Sequence, residues 1–406
     1  MRGLDGIKTI FRTILDRPTM LAASSQVDRA LVRKPRPGAS VVAVLAAPGA
    51  GNIGDHAMLH AFLDHHTSDD VVIVGEIPGV YDYLASERVR VLCLPALLNG
   101  RGWSRVRALL RFSSEARRFV QVAVIGADMM DGGYGRYPAY RRWSLAGACA
   151  RRGISTRILG FSLSSSVDPA VLAGAVWATR VGVVNLLRDP LSLERAKRVG
   201  LHRVHEVRDV VFARRLEPHD GRPPAAPSTA APMVIVNVSG LVGNRIDQVD
   251  DFGAIVGGLL DRGFRVVLLP HVLRASADDR VEIAKVARLF EGDRRVEVIE
   301  RQFAPTEVSE LASRASLVIT GRMHLAILGL TGGTPAIVLS TQGKVEGLLT
   351  SLGIPEGCIE PAAGMSKEIL SVADRFLAAG FELRQRLTVA VAEARVLAER
   401  NFEIFS

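Results

Sequence analysis

The sequence predicts an α/β protein of two doubly wound, Rossmann-like domains facing a cleft, with a helical C-terminal segment. Three observations predict it. From residue 41 onward, short apolar runs rich in β-branched residues alternate with amphipathic stretches, the mark of parallel sheets covered on both faces. That alternation breaks once, over residues 217–232 (EPHDGRPPAAPSTAAP), where Pro, Ala and Gly erase every periodicity. Finally, 406 residues are ample for two ordinary cores.

Taken in order, residues 1–40 form a basic, amphipathic extension. Leu4, Ile7, Ile10, Phe11, Ile14 and Leu15 share one helical face, with Lys8 and Arg12 at its edge. Such a helix either lies on a membrane surface or packs against the protein's own flank. Residues 41–216 form the first domain, with buried strands at 41–46, 71–75, 90–94, 121–125, 156–160 and 183–187 and helices at 56–65 and 191–199. The linker 217–232 follows. The second domain spans 233–365, with strands at 233–238, 265–269, 295–299, 317–320 and 336–340, and residues 366–406 read as helices. In open α/β sheets, ligands bind beyond the carboxyl ends of the strands, so two such sheets place the site in the cleft between them.

Composition narrows the function classes. A hydrophobic fraction of 48% and a charged fraction of 23% exclude disordered, collagen-like and coiled-coil chains. The longest apolar run, 171–179, is short of the roughly 20 residues that cross a bilayer. The N-terminal apolar residues are interleaved with Arg, Lys and Asp, unlike a cleavable signal. Cys93, Cys149 and Cys358 are too few and too dispersed for a disulfide framework or a zinc site, and the cytoplasm is the expected compartment. The net charge of +9 comes from 45 Arg and only 6 Lys, a skew of coding bias rather than phosphate reading. It is also local. Residues 1–40 and 101–118 each carry +5, leaving the rest nearly neutral. Two basic patches suit an anionic membrane surface or an acidic ligand; nucleic acid is not expected as a partner. Docking at the inner face of the cell membrane is the corresponding expectation.

Six segments could carry chemistry. The first strand enters Pro48-Gly49-Ala50-Gly51-Asn52-Ile53-Gly54-Asp55, and Gly49, Gly51 and Gly54 satisfy G-x-G-x-x-G before a helix, with Glu76 ending the next strand. This is either a dinucleotide site or a glycine-rich turn offering N–H groups to another polar ligand. Asp55 would compete with a pyrophosphate for those donors, so Asn52 and Asp55 read as hydroxyl-binding side chains. The loop Gly126-Ala127-Asp128-Met129-Met130-Asp131-Gly132-Gly133-Tyr134-Gly135 suits either hydroxyl binding by Asp128 and Asp131 or internal Asx turns. Arg188 ends a strand, where it reaches an anion or pairs with Asp189 or Asp209. Gly321-Arg322-Met323-His324 joins a strand to an apolar helix, bringing a guanidinium, an imidazole and helix N–H groups to one point. Thr341-Gln342-Gly343-Lys344-Val345-Glu346-Gly347 and His271 stand on neighbouring loops of the same sheet edge.

Together, Gly51-Asn52-Ile53-Gly54-Asp55, Arg188-Asp189-x-x-Ser192, Leu269-Pro270-His271-Val272, Gly321-Arg322-Met323-His324 and Gln342-Gly343-Lys344-x-x-Gly347 resemble the polysaccharide pyruvyl transferase family, in the expected order from about residue 41 to about residue 350. The resemblance implies a GT-B-like pair of domains. It also implies transfer of the pyruvyl group of phosphoenolpyruvate to two sugar hydroxyls, forming a cyclic ketal and releasing phosphate. It puts His324, Arg322, Lys344 and Arg188 at the chemistry, with Gly321, His271, Gln342, Gly343 and Glu346 around the donor. The 51–55 loop, through Asn52, Gly54 and Asp55, falls on the acceptor side across the cleft, with Asp128 and Asp131. No metal or cofactor is expected beyond phosphoenolpyruvate as co-substrate; the partners are that donor and a sugar acceptor, lipid-linked in one version. Ala127-Asp128-Met129-Met130-Asp131 departs from the glycine-rich stretch usual there. The competing readings are a GT-B glycosyltransferase using a nucleotide sugar, a non-catalytic glycan-binding or scaffold homologue, and a nicotinamide dehydrogenase.

Overall fold

The computed structural model describes residues 18–215, 231–340 and 345–403. It contains two compact units. Of the described residues, one unit holds those up to Pro48, His65–Asp209 and those from Arg400; the other holds Gly49–Asp64 and those within Val210–Glu399.

The first half of the chain runs α1 (Pro18–Leu31), β1 (Val41–Leu45), α2 (Ile53–Asp64), β2 (Val71–Gly75), β3 (Val89–Cys93), α3 (Gly102–Ala116), β4 (Phe119–Ile125), α4 (Arg136–Arg151), β5 (Ser155–Phe161), α5 (Pro169–Arg180), β6 (Val184–Leu187), α6 (Pro190–Arg198) and β7 (Val204–Glu206). Its seven strands form one parallel sheet in the order β3-β2-β1-β4-β5-β6-β7. The central strands β1 and β2 are buried along their whole length, which is why they read as unbroken Val/Ile/Leu runs rather than alternating ones. Helix starts are written locally: Asp168 accepts Ala170 and Val171 N–H at the first turn of α5, Asp189 accepts Ser192 N–H at that of α6, and a proline follows each.

The second half runs β8 (Met233–Asn237), α7 (Gly240–Gly243), α8 (Val249–Asp261), β9 (Arg265–Leu268), α9 (Asp279–Ala287), β10 (Val296–Val298), α10 (Pro305–Ser313), β11 (Leu317–Thr320), α11 (Met323–Thr331), β12 (Ala336–Leu339), α12 (Val345–Ser351), β13 (Cys358–Ile359) and α13 (Ser366–Glu399). Its six strands are also parallel, in the order β10-β9-β8-β11-β12-β13. Both sheets thus repeat the Rossmann order, which reverses beside the first strand of each. All eleven expected strands are present to within two residues at either end. The two unforeseen ones, β7 and β13, are short edge strands of three and two residues, too short to show a hydrophobic period.

Three segments depart from the expected organisation. Residues 18–31 are no loose extension. The fully buried Asp28 pairs with Arg105 of α3 at 2.5 Å and accepts Ser144 Oγ of α4 at 2.6 Å, tying α1 into the first unit. The apolar stripe expected at residues 4–15, and linker residues 217–230, lie outside the described residues. Helix α2 follows β1 in sequence yet belongs to the second unit. The last turn also rejoins the first unit. Asn401, fully buried, accepts Gly160 N–H at 2.8 Å and donates to the Arg208 carbonyl at 3.0 Å. The helix before it, α13, kinks at Gly380, whose φ is +42°.

Candidate active site

The site in the second unit begins with a buried carboxylate. Asp279, at the start of α9, is fully buried. It accepts the Asn237 amide at 2.9 Å, Gly240 N–H at 2.9 Å, His271 N–H at 3.0 Å and Val272 N–H at 2.9 Å. It also pairs with Arg322, whose Nη2 stands 2.6 Å from Oδ1. Asn237 Oδ1 in turn accepts Thr320 Oγ1 at 3.1 Å, and Thr320 Oγ1 accepts Arg322 N–H at 2.9 Å. One polar network therefore joins the loops that follow β8, β9 and β11, on either side of the point where the strand order reverses. These groups satisfy each other, as burial requires.

Glycines let the loops close. A Cβ at Gly321 would stand 2.6 Å from Ser239 Cβ, and one at Gly240 would stand 2.7 Å from the Ala277 backbone. The same rule brings in α2. Gly51, with φ +65°, approaches the Leu273 backbone so closely that a Cβ would lie 3.0 Å away. Leu273 N–H donates to Gly51 O at 2.6 Å and Ile53 N–H to His271 O at 3.2 Å. Gly54, in the first turn of α2, lies directly against the His324 ring: a Cβ there would be 2.4 Å from Nδ1. The first turns of α2 and α11 therefore meet with the His324 imidazole between them. The α11 terminus carries no acidic side chain in its first turn, so its N–H groups favour an anion. At α2, by contrast, Asp55 already accepts Gly49 N–H at 3.0 Å and Asn52 Nδ2–H at 2.7 Å.

Behind His324 sits His271, 1% exposed, with neither ring nitrogen hydrogen-bonded among the described residues. Burial, with His324 and Arg322 nearby, holds its imidazole well below the usual histidine range. It is therefore neutral at pH 7.

The structure gathers some expected site residues and separates others. Gly321, Arg322, His324, His271, Asn52, Gly54 and Asp55 lie together in the second unit. This corrects the expectation that the 51–55 loop stands across the cleft with the first domain: after β1 the chain leaves its own sheet, and α2 packs on the second unit, so Gly54 serves His324. It also removes the dinucleotide reading. Gly49 and Gly51 supply left-handed turns, and Glu76 is spent on Leu98 N–H, Asn99 N–H and the Asn99 amide. Asn52 and Asp55, expected to meet hydroxyls, bind each other, and Asn52 Oδ1 caps Gly54 N–H at 3.1 Å. Arg322 turns Nε and Nη2 onto Asp279 and the Ala277 carbonyl, so most of the guanidinium that was expected to grip a ligand is held by protein.

Arg188 belongs to the first unit. It is buried, with Nη1 2.7 Å from Asp209 Oδ2 and Nε 2.7 Å from Ser162 Oγ; of the two readings of this arginine, the carboxylate pair is what forms. Asp131 accepts Gly133 N–H at 2.9 Å, the internal Asx turn, and Asp128 stands half-buried in the same first-unit loop, after Ala127 with φ +47°. Glu346 is exposed in the first turn of α12. Gln342, Gly343 and Lys344 lie outside the described residues. Among the described residues, no group of three His, Cys, Asp or Glu side chains could hold a metal ion. No helix there is long and apolar enough to cross a membrane.

Asp279 and Asn237 escaped the sequence reading. The signal was present: Arg322, once assigned to a tight turn between buried elements, required a carboxylate, and Asp278-Asp279 follows the loop that carries His271.

Comparison with known proteins decides the family. The model described as polysaccharide pyruvyl transferase matches residues 52–343. The chain belongs to the polysaccharide pyruvyl transferase family. The match starts at Asn52 and so includes α2, the segment that this family member lends to its second unit. A relative in Erwinia amylovora, the amylovoran biosynthesis protein AmsJ, is 22% identical across 86% of this chain and 95% of its own. Among solved structures, UDP-GlcNAc 2-epimerase from Neisseria meningitidis aligns over 89% of this chain and 97% of its own, with a TM-score of 0.58 and 13% identity. A glycosyltransferase from Rickettsia africae aligns over 91% and 95%, with a TM-score of 0.55 and 9% identity. These likenesses show the GT-B-like fold alone.

Proposed function

We propose that this chain transfers the pyruvyl group of phosphoenolpyruvate to two hydroxyls of a sugar in a cell-surface polysaccharide or glycolipid precursor. The observation that carries the reading is the His324 imidazole, held at the first turn of α11 and backed by a histidine that burial keeps neutral. Family membership and the relative named for amylovoran biosynthesis support it.

Phosphoenolpyruvate brings a carboxylate and a phosphate. The α11 N–H groups, the remaining edge of Arg322 and Lys344 supply positive potential for them. His324 protonates the methylene carbon, creating an oxocarbenium-like centre that the first hydroxyl attacks. Phosphate then leaves and the second hydroxyl closes the ketal. Of the two hydroxyl protons, one is made up in the new methyl group and one departs with phosphate, so the sugar gains pyruvate less one water. Asp131, Asp55 and Glu346 are the carboxylates available as bases in the wider sequence, and Asp55 is already committed to Gly49 and Asn52.

The test is incubation with phosphoenolpyruvate and a panel of aryl and lipid-linked glycosides, read by phosphate release and by product mass. His324→Ala should keep phosphoenolpyruvate-induced thermal stabilisation and lose turnover. Turnover retained in His324→Ala, or stabilisation by a nucleotide sugar and none by phosphoenolpyruvate, would overturn the reading.

A further inference from the structure

The second basic patch, residues 101–118, folds as helix α3 of the first unit. One face is core: Leu109 and Phe112 are buried, as are Ala108 and Ala116. The opposite face is unusual for a solvated helix. Trp103 is 78% exposed and Leu110 45% exposed, and Arg107 and Arg111 stand exposed beside them. At 100° per residue, these four fall within one face about 100° wide and roughly 12 Å long. No acidic side chain of α3 interrupts it. The helix's one carboxylate, Glu115, is engaged by Arg90 and lies 3.6 Å from Arg118. Charge continues past the helix end, where Arg36 N–H donates to the Arg117 carbonyl at 2.8 Å, bringing the exposed Arg36 beside the exposed Arg117.

We propose that this face of α3 docks the protein on an anionic lipid surface. A nucleic acid would reward the arginines but not the exposed Leu110. A protein groove would reward the apolar pair but not the row of exposed arginines beside it. A bilayer interface rewards both, burying Trp and Leu at headgroup depth while arginines meet lipid phosphates. The position is also informative. Helix α3 follows β3 in an all-parallel sheet, so Trp103 stands at the sheet edge where strands end in carboxyl termini. That is the edge from which the Asp128 and Asp131 loop emerges after β4. A lipid surface at Trp103 therefore presents membrane-borne molecules to that edge.

The test mixes the full chain with vesicles of phosphatidylcholine containing phosphatidylglycerol, and with phosphatidylcholine alone, and reads the bound fraction by flotation. Binding is expected on the anionic vesicles only and should weaken as salt rises. Arg107→Gln with Arg111→Gln should lower partition roughly 25-fold, at roughly fivefold per arginine. Trp103→Ala with Leu110→Ser should also release the protein. All four side chains are exposed, so an unchanged melting temperature verifies folding. Because Trp143 is fully buried and Trp177 lies under Arg29, a blue shift of emission on vesicles should disappear in Trp103→Phe. No binding to anionic vesicles, binding undiminished in the quadruple variant, or loss of duplex DNA retention in place of vesicle binding would each overturn the proposal. Phosphate release with a water-soluble acceptor should be the same in all these variants, so docking and pyruvyl transfer fail independently.

Discussion

Replacing Gly54 by Ala tests whether His324 acts from the place the fold gives it. The backbone at Gly54 has no left-handed φ, so a methyl group meets no conformational strain of its own. It meets His324 instead, at 2.4 Å from Nδ1, 2.6 Å from Cγ and 2.8 Å from Cβ. Ordinary contact begins near 3.4 Å, so the ring has to retreat by about 1 Å. Because His324 Cβ is itself among the close atoms, rotating the ring does not relieve the clash, and α2 or α11 must also give. A displacement of about 1 Å at a reacting group costs about 100-fold in turnover. The stability change is smaller: overpacking costs about 1–3 kcal/mol, offset by up to about 1 kcal/mol from the better helix former. The assay is phosphoenolpyruvate-dependent phosphate release at saturating donor, beside a thermal melt. In a His324→Ala background the same substitution should cost less stability but still some, since the ring is gone while the Cβ at 2.8 Å remains. A Gly54→Ala enzyme that turns over within about threefold of the parent would refute the assignment of His324, given the roughly 100-fold expected.

Three further outcomes follow from the same geometry. Asp279→Asn removes the buried charge that balances half-buried Arg322 and should destabilise the fold by about 3–5 kcal/mol in urea unfolding; an unchanged midpoint would mean the network is dispensable. Arg188→Ala removes the guanidinium paired with buried Asp209 and should cost a similar amount, about 3–5 kcal/mol, with or without phosphoenolpyruvate. Full stability with lost donor affinity would instead assign Arg188 to the ligand. His60, pushed down to about 4 by burial and then by Arg214 and His56, binds its proton more readily unfolded than folded. Its contribution is complete above about pH 6.5 and is lost as pH falls toward 4, to a total of up to about 3 kcal/mol. His56, His66, His205 and His271 shift the same way, so melting temperature should fall on acidification across this window. His60→Gln should flatten the slope; an unchanged slope would show that His60 does not contribute.

The sequence carried much of the fold because its information is local. Buried parallel strands such as β1 and β8 are written as unbroken apolar runs, and α5 and α6 are announced by Asp-Pro pairs that cap and start them. The short edge strands β7 and β13 escaped because two or three residues set no period. Among candidate site residues, the types and their order were legible, but their partners were not. Arg188 and Arg322 looked alike on paper, each a cation at a strand's end, and each proved to hold a buried aspartate 2.7 or 2.6 Å away.

What the sequence determined by itself, then, was the pair of Rossmann-ordered sheets and the loops that bear chemistry, because hydrophobic period and turn residues act over a few neighbours. Only the tertiary structure decided that α2 serves the second unit, that Gly54 is small for the sake of His324, and that Asp279 anchors Arg322. Those facts depend on which surfaces meet across 40 to 270 residues of chain, and no local pattern encodes where a helix goes once it leaves its own sheet.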